Sequence, residues 1–511
     1  MTGGLIQLAA YGAQDIYLTG NPQITFFQMV YRKHTNFTIE AIEQTFIGNP
    51  VYGQRLDVQL TRNGDLLHRI YIEHSSTIER TEAHDDKNIG IVEHYGHSLI
   101  REYEILIGGQ RIDRHSSLWQ RIRGDLNEEN PDGYISRVNL SSDEGEHNGT
   151  QYQYMTGNSI AANTDNHSPT ENQLASTGGS SFNGFTYTKG NTTDNTKAKI
   201  AVNKIFIPLQ FWFCRHHGLA LPLVALQYHN VELIFRIEEL KNLFRVCDNP
   251  SFGGFDAGGI IKASSSNVTT LSNFRLWCDY IYLDTDERRR FAHEEHEYLI
   301  EQIQKAEYNV NLPNNNLELK FSHPTKELIW VIQNNTVNST SGDAYGGRNQ
   351  GLDADRGDWT ASPVSVDDFK GRWLLKFNNH ERFKDRDTEY FTRVQVNEHH
   401  TGYGSVSTYI ARKSNLKSGE FRPSDNNSIA VYSFALKPED HQPSGVCNLS
   451  RMDSIVLESI DLKVWAIGGG SGGEYIKVGE TGSNSLKLTI FAVNYNILRI
   501  MSGMGGLAYS N

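Results

Sequence analysis

Apolar residues recur along this chain with the period of two that marks half-buried strands. In the stretch Ile205 to Glu239, an apolar aromatic run (Ile205 to Phe213) leads into a polar turn (Cys214 to Gly218) and a short helix-compatible piece around Leu223. A strand follows in which Val231, Leu233, Phe235 and Ile237 face one way, Glu232 and Arg236 the other. Far downstream the same order returns. Ile429 to Leu436 repeats the apolar run, a turn extends to Gly445, and Asn448 to Ser454 suits a short helix. Ile460, Leu462 and Val464 then alternate with Asp461 and Lys463.

Two further pairs keep that order. Asp65 to Glu73 answers to Glu327 to Gln333, each an apolar run behind a turn-forming cluster. Glu104 to Ile122 answers to Leu374 to Val394, with Gly108-Gly109 and Asn378-Asn379 at equivalent places. Both dipeptides tolerate the positive φ of tight hairpin turns, and each leads into a short piece that reads as helical and carries an aromatic, Trp119 or Tyr390. Four collinear pairs predict a tandem duplication. The competing reading is the strand-turn-strand monotony of any all-β chain.

Taken in order, residues 1–25 form an N-terminal arm, either docked on something else or frayed. The aromatic and β-branched run from Ile24 to Phe46 reads as entry into a first sandwich spanning 26–240. Within it, about 127–199 is dominated by Asn, Ser, Thr, Gly and Asp, too polar to supply core and expected as a surface insertion. A Gly- and Ser-containing linker, 241–270, precedes a second sandwich, 271–511, opening with Phe274 to Gln304. Asp286 and Glu287 sit where a short helix would start. Near the end, Leu486, Leu488 and Ile490 alternate with Lys487 and Thr489 before Gly503, Gly505 and Gly506 break the strand.

Length and composition agree with two large sandwiches of an all-β class. A net charge of −12 over 511 residues argues against coating a nucleic acid directly. No apolar run approaches a membrane span, and the opening residues show neither the basic start of a signal peptide nor a myristoylation glycine, so synthesis and retention in the cytoplasm are expected. Cys214, Cys247, Cys278 and Cys447 lack paired spacing, which predicts buried free thiols rather than disulfides or zinc.

Candidate chemistry is sparse. His293-Glu294-Glu295-His296 has histidines three apart, not the spacing of zinc peptidases. His216-His217 and His399-His400 are read as turn or rim histidines. Arg288-Arg289-Arg290 could grip a neighbour's carboxylates, but a solvated helix face is the plainer reading. No nucleotide or hydrolase signature is present, so no catalytic residue, cofactor or metal is assigned. Arg356-Gly357-Asp358 is a three-residue match inside a polar loop. Asn148, Asn166, Asn191, Asn267 and Asn338 are glycosylation candidates among several N-x-S/T sequons.

Several long motifs carry a family resemblance: Gly12 to Glu40, Arg62 to Leu67, Ile107 to Asp113, Pro208 to His229, Asp279 to Ala292, Ser433 to Arg451 and Asn494 to Asn511. In these the chain resembles the major capsid proteins of nucleocytoplasmic large DNA viruses, of the algal-virus and giant-virus type. The resemblance implies two tandem antiparallel eight-stranded jelly rolls with short helices and long surface loops. It also implies a late, non-enzymatic virion protein, assembled in the host cytoplasm into homotrimeric capsomers that look hexagonal and tile an icosahedral shell. Implied partners are neighbouring capsomers, minor capsid and penton proteins, and an internal membrane facing the N-terminal arm, with no direct nucleic-acid contact. By the same analogy 127–199 would be an outward tower or rim loop; members of the family can be glycosylated at Asn outside the N-x-S/T rule, so the resemblance allows a glycoprotein without fixing its sites. A carbohydrate-binding or carbohydrate-active double β-sandwich is the alternative.

Overall fold

The computed structural model describes residues 12–79, 88–92, 94–127, 134–138, 147–157, 180–182, 185–188, 195, 199–247, 271, 273–334, 363–364, 366, 369–402, 404, 428–464 and 486–509. The first roll is built from β1 (Phe37–Gln44), β2 (Arg55–Gln59), β3 (Leu66–Glu79), β4 (Ile100–Ile107), β5 (Gln110–Ser116), β6 (Lys199–Pro208), β7 (Val231–Ile237) and β8 (Phe274–Leu283). These pair antiparallel as two facing sheets, β1-β8-β3-β6 and β2-β7-β4-β5. That interleaved order is a jelly roll. Alternation fills the space between the sheets: Leu233 and Phe235 of β7 meet Ile70 and Ile72 of β3 and Leu276 of β8 in one core.

The second roll repeats the first strand for strand. It comprises β9 (His296–Val310), β10 (Asn315–Glu318), β11 (Pro324–Asn334), β12 (Phe369–Phe377), β13 (His380–Glu381), β14 (Ala430–Ser433), β15 (Ile455–Val464) and β16 (Leu486–Met501). Its sheets run β9-β16-β11-β14 and β10-β15-β12-β13, the first roll's orders with eight added to every label. Even the short edge pieces correspond, Leu221–Pro222 on β3 and Cys447–Asn448 on β11. The predicted hairpins are present. Gly108, Gly109, Asn378 and Asn379 all have positive φ between β4 and β5 and between β12 and β13.

Three expectations change. Phe274–Leu283, expected to open the second roll, hydrogen-bonds between β1 and β3 as the last strand of the first. Its counterpart is β16, so the duplication itself requires a strand there. Second, the run from Ile24 does not enter a sheet until Phe37, where β8 offers a partner from Leu283 onward. Phe26 and Phe27 are 91% and 99% exposed, so the unpaired arm extends past residue 25. Third, Asp461 adopts φ 52° at a bulge opposite Gly371, which throws Ile460 out of phase with buried Leu462 and Val464. Lesser adjustments follow: Leu223 lies in a turn, not a helix, and Phe244–Cys247 of the expected linker pairs with Asn88–Ile91. Gly505 and Gly506 sit in a returning strand, Met504–Leu507, after a turn at Gly503.

Candidate functional site: the joint between the rolls

Between β5 and β6 the first roll carries α1 (Ser117–Leu126). Ser116 starts it, its Oγ accepting from Trp119 N at 3.3 Å. Leu118, Trp119, Ile122 and Leu126 make one apolar face at helical spacing. That face lies on the outside of the second roll's β9-β16-β11-β14 sheet, against Ile329, Val331, Phe491 and Val493. Trp119 packs on Phe491 with ring centroids 5.3 Å apart. The second roll closes over the helix end: Gly402 N donates to Leu126 O at 2.6 Å and Gly404 N to Asp125 O at 2.7 Å. A Cβ on Gly402 would stand 2.4 Å from Asp125 O, so only glycine allows this approach.

Beside the apolar layer lies a buried charge cluster. Arg215, from the helical turn Trp212–Arg215, pairs with Glu301 of β9. Lys326 Nζ reaches the other oxygen of Glu301 at 2.6 Å and also donates to Pro438 O. Burial alone would raise the Glu301 carboxyl, but Lys326, Arg215 and Arg123 hold it at about 2. Adjacent Glu327 meets His400 Nε2 at 3.1 Å, and Glu439 meets His400 Nδ1 at 3.1 Å. Burial opposes a charged ring, yet the two carboxylates lift His400 to about 9. Asn127 caps the cluster, its Oδ1 3.0 Å from His400 Nδ1, where it can accept from the charged ring. Glu301, Lys326, Glu327 and His400 are buried, each with a partner of opposite charge, the condition under which buried ions persist.

A second clasp joins the rolls at the C-terminus. Ile300, Leu498 and Ile500 enter the first roll's core. At the turn after β16, Tyr228 N donates to Gly503 O at 2.9 Å, and His229 Nδ1 lies 3.0 Å from Gly505 O. A Cβ on Gly505 would stand 2.8 Å from Leu226 and 3.1 Å from Ile107.

The residues singled out from the sequence fare differently. His293 closes α2 (Thr285–His293), whose cap is Asp284 and whose first turn holds Asp286 and Glu287 as expected. His296 begins β9 with its ring 2.8 Å from Phe291 O, and Glu294 pairs with Arg290. No group of three or more potential metal ligands occurs among the described residues. Arg288 pairs at 2.9 Å with Asp65 of its own chain, on a helix without buried residues. His216 accepts from Gly218 N in its turn, as read. His400, expected at a turn or rim, is instead at the centre of the joint because the second roll folds it under Glu327 and Glu439. His399 points away toward Leu436 O. Cys278 is buried, while Cys214 and Cys447 are half-buried free thiols. Asn148 lies in the strand His147–Thr150. Asn166, Asn191, Asn267, Asn338 and the Arg356-Gly357-Asp358 tripeptide lie outside the described residues.

Arg215, Glu301, Lys326 and Glu327 were not foreseen. Lys326 and Glu327 read as part of a turn cluster and strand start, and charges on alternate strand positions look like a solvated face.

Two jelly rolls in tandem, welded helix on sheet, define the double jelly roll class. Residues 25–284 match the family profile described as the major capsid protein N-terminus, and 287–506 that of the large eukaryotic DNA virus major capsid protein. The chain therefore belongs to the major capsid protein family of large eukaryotic DNA viruses. It is 39% identical to the major capsid protein of Pyramimonas orientalis virus and 34% identical to that of Paramecium bursaria Chlorella virus 1, each over the whole of both chains. Among solved structures, it is similar to a chain of the PBCV-1 virus capsid at TM-score 0.62 and 28% identity, covering 95% of this chain and 100% of that one. The two profiles meet between 284 and 287, just after β8, in accord with the sheet pairing. The chain is a structural component of a virion shell, which separates the capsid reading from the carbohydrate alternative.

Proposed function

We propose that three copies of this chain close into a homotrimeric capsomer whose six rolls form a pseudo-hexagonal ring tiling an icosahedral shell. The observation that carries this is the repeat itself: both rolls have the same strand order, and each has a helix after its hairpin. A unit made of two like halves joined side by side suits a closed ring of such halves. We place the division between the rolls at α2, after β8, and residues 127–199 on the outer surface. Neighbouring capsomers, minor capsid and penton proteins are its partners in the shell. The exposed arm, with Ile24, Phe26, Phe27, Met29, Val30 and Tyr31 uncovered, faces inward toward the internal membrane. Assembly takes place in the host cytoplasm.

Light scattering on the purified protein tests the trimer. With a chain of 57.7 kDa, the expected mass is about 173 kDa for a closed ring of three. A folded monomer at micromolar concentration would refute it.

A further inference from the structure

Residues 436–445, between β14 and the Cys447–Asn448 edge piece, form a strap beside the buried charge cluster. Its base is tied by Leu436 N to Ser444 O at 3.4 Å and by Lys437 N to Ser444 Oγ at 2.9 Å. From there it reaches the joint at three points. Pro438 O accepts from Lys326 Nζ. Glu439 Oε1 accepts from Thr401 N at 3.0 Å and meets His400 Nδ1 at 3.1 Å. Half-buried His441 lies ring on ring with His216 of the first roll, centroids 5.9 Å apart and planes 20° from parallel.

That ring pair is where the strap meets the other roll, and its geometry suits neutral imidazoles. His216 Nδ1 accepts from Gly218 N at 3.0 Å, so it carries no proton there, and charging the ring would break the turn's own hydrogen bond. The surroundings discourage a charge on either ring. Arg215 precedes His216, and Lys326 faces His441 from β11. On the far side His217 stacks on buried His68 at 4.3 Å, with Arg69 alongside. The carboxylates that face the pair are engaged already: Glu301 by Arg215 and Lys326, Glu439 by His400, and Asp440 by Lys437 on the strap itself. Burial holds the His441 ring below its ordinary value; Glu301 opposes, and His216, Lys326 and Arg215 add to the depression.

We infer that the 436–445 strap is an acid-released latch on the roll-to-roll joint: protonating the His216–His441 pair lifts it from the first roll and opens the Arg215–Glu301–Lys326 cluster to water. The closed strap excludes a proton that the open strap takes up. Closure is therefore fully favoured above the ordinary imidazole value of about 6.5 and is lost as pH falls below it. His400 does not share this response, because its proton is held up to about 9 and its charge is constant while the ring pair titrates. One excluded proton raises the opening equilibrium up to ~30-fold between pH 7.5 and 5.

Hydrogen–deuterium exchange on the purified full chain, corrected for the intrinsic pH dependence of exchange, tests the latch. The reporters are the amides of Leu436, Lys437 and Thr401, whose acceptors belong to the strap. Their protection is expected to fall ~10–30-fold from pH 7.5 to 5, while amides within β11 hold theirs. The double variant His216→Gln with His441→Gln keeps hydrogen-bonding side chains that cannot be charged, and its reporters should be as protected at pH 5 as at pH 7.5. Equal protection at the two pH values in the unaltered chain would overturn the inference. So would the same acid loss in the double variant, which would put the trigger on other groups. If circular dichroism shows that the double variant has lost its fold, His441→Gln alone is read in its place: a reduced acid loss supports the latch and an unchanged one overturns it.

Discussion

His400 makes the joint sensitive to alkaline pH. Its ring has an ordinary value of 6.5 and is lifted to about 9 by Glu327 and Glu439 against the pull of burial. A group whose value is raised on folding stabilises the fold fully below its unfolded value and loses that contribution as pH climbs through the folded one. The window is therefore from 6.5 to about 9. At ~1.4 kcal/mol per pH unit, the gap sets a ceiling of about 3 kcal/mol. Because His400 is almost wholly buried, solvent screening takes little from this figure. The perturbation is His400→Gln, which keeps a hydrogen-bonding side chain but cannot be charged. At pH 6 the variant leaves Glu327 and Glu439 without their cation and should be less stable by up to ~3 kcal/mol. Urea midpoints measured from pH 6 to 9.5 should fall for the unaltered protein and stay nearly flat for the variant, so the gap closes. Other histidines cancel in the difference. Parallel curves across that range would show that His400 is not held charged, and the account of the cluster would fail.

Of the three remaining expectations, two concern the same charge cluster and one the C-terminal clasp. Lys326→Met removes the inner cation of Glu301 and should cost ~3–5 kcal/mol, while adding Glu301→Gln should recover part of that loss; thermal melting of single and double variants reads both. The Glu301 carboxyl sits at about 2, below its ordinary 4.5, so its stabilisation is present above 4.5 and is lost as pH falls toward 2. Acid titration of Glu301→Gln should lack that segment of the unfolding curve. Gly505→Val forces a branched side chain onto Leu226 and Ile107 and should cost ~1–3 kcal/mol, with amide exchange rising first in Met504–Leu507.

Local periodicity carried the element order because each strand declares itself by alternation, and each hairpin by residues that accept positive φ. Gly108-Gly109 and Asn378-Asn379 did so without reference to anything distant. Partnership is another matter. Phe274–Leu283 has the same alternating pattern whether it opens a second roll or closes the first, and only the β1 and β3 edges on either side decide. The clue lay in the duplication: the second copy ends on a long strand after β15, so the first needed one after β7.

Buried charge is harder still to see from the chain alone. Glu301, Lys326 and Glu327 occupy strands where a polar residue ordinarily marks the wet face, and in a lone sandwich that inference would hold. Here the wet face of one roll is the dry face of the joint, because α1 and the Arg215 turn of the other roll are laid across it. The charges stay dry because the outer sheet of the second roll is covered by α1 and the Arg215 turn of the first, a cause that lies more than a hundred residues away in sequence from Lys326 and Glu327.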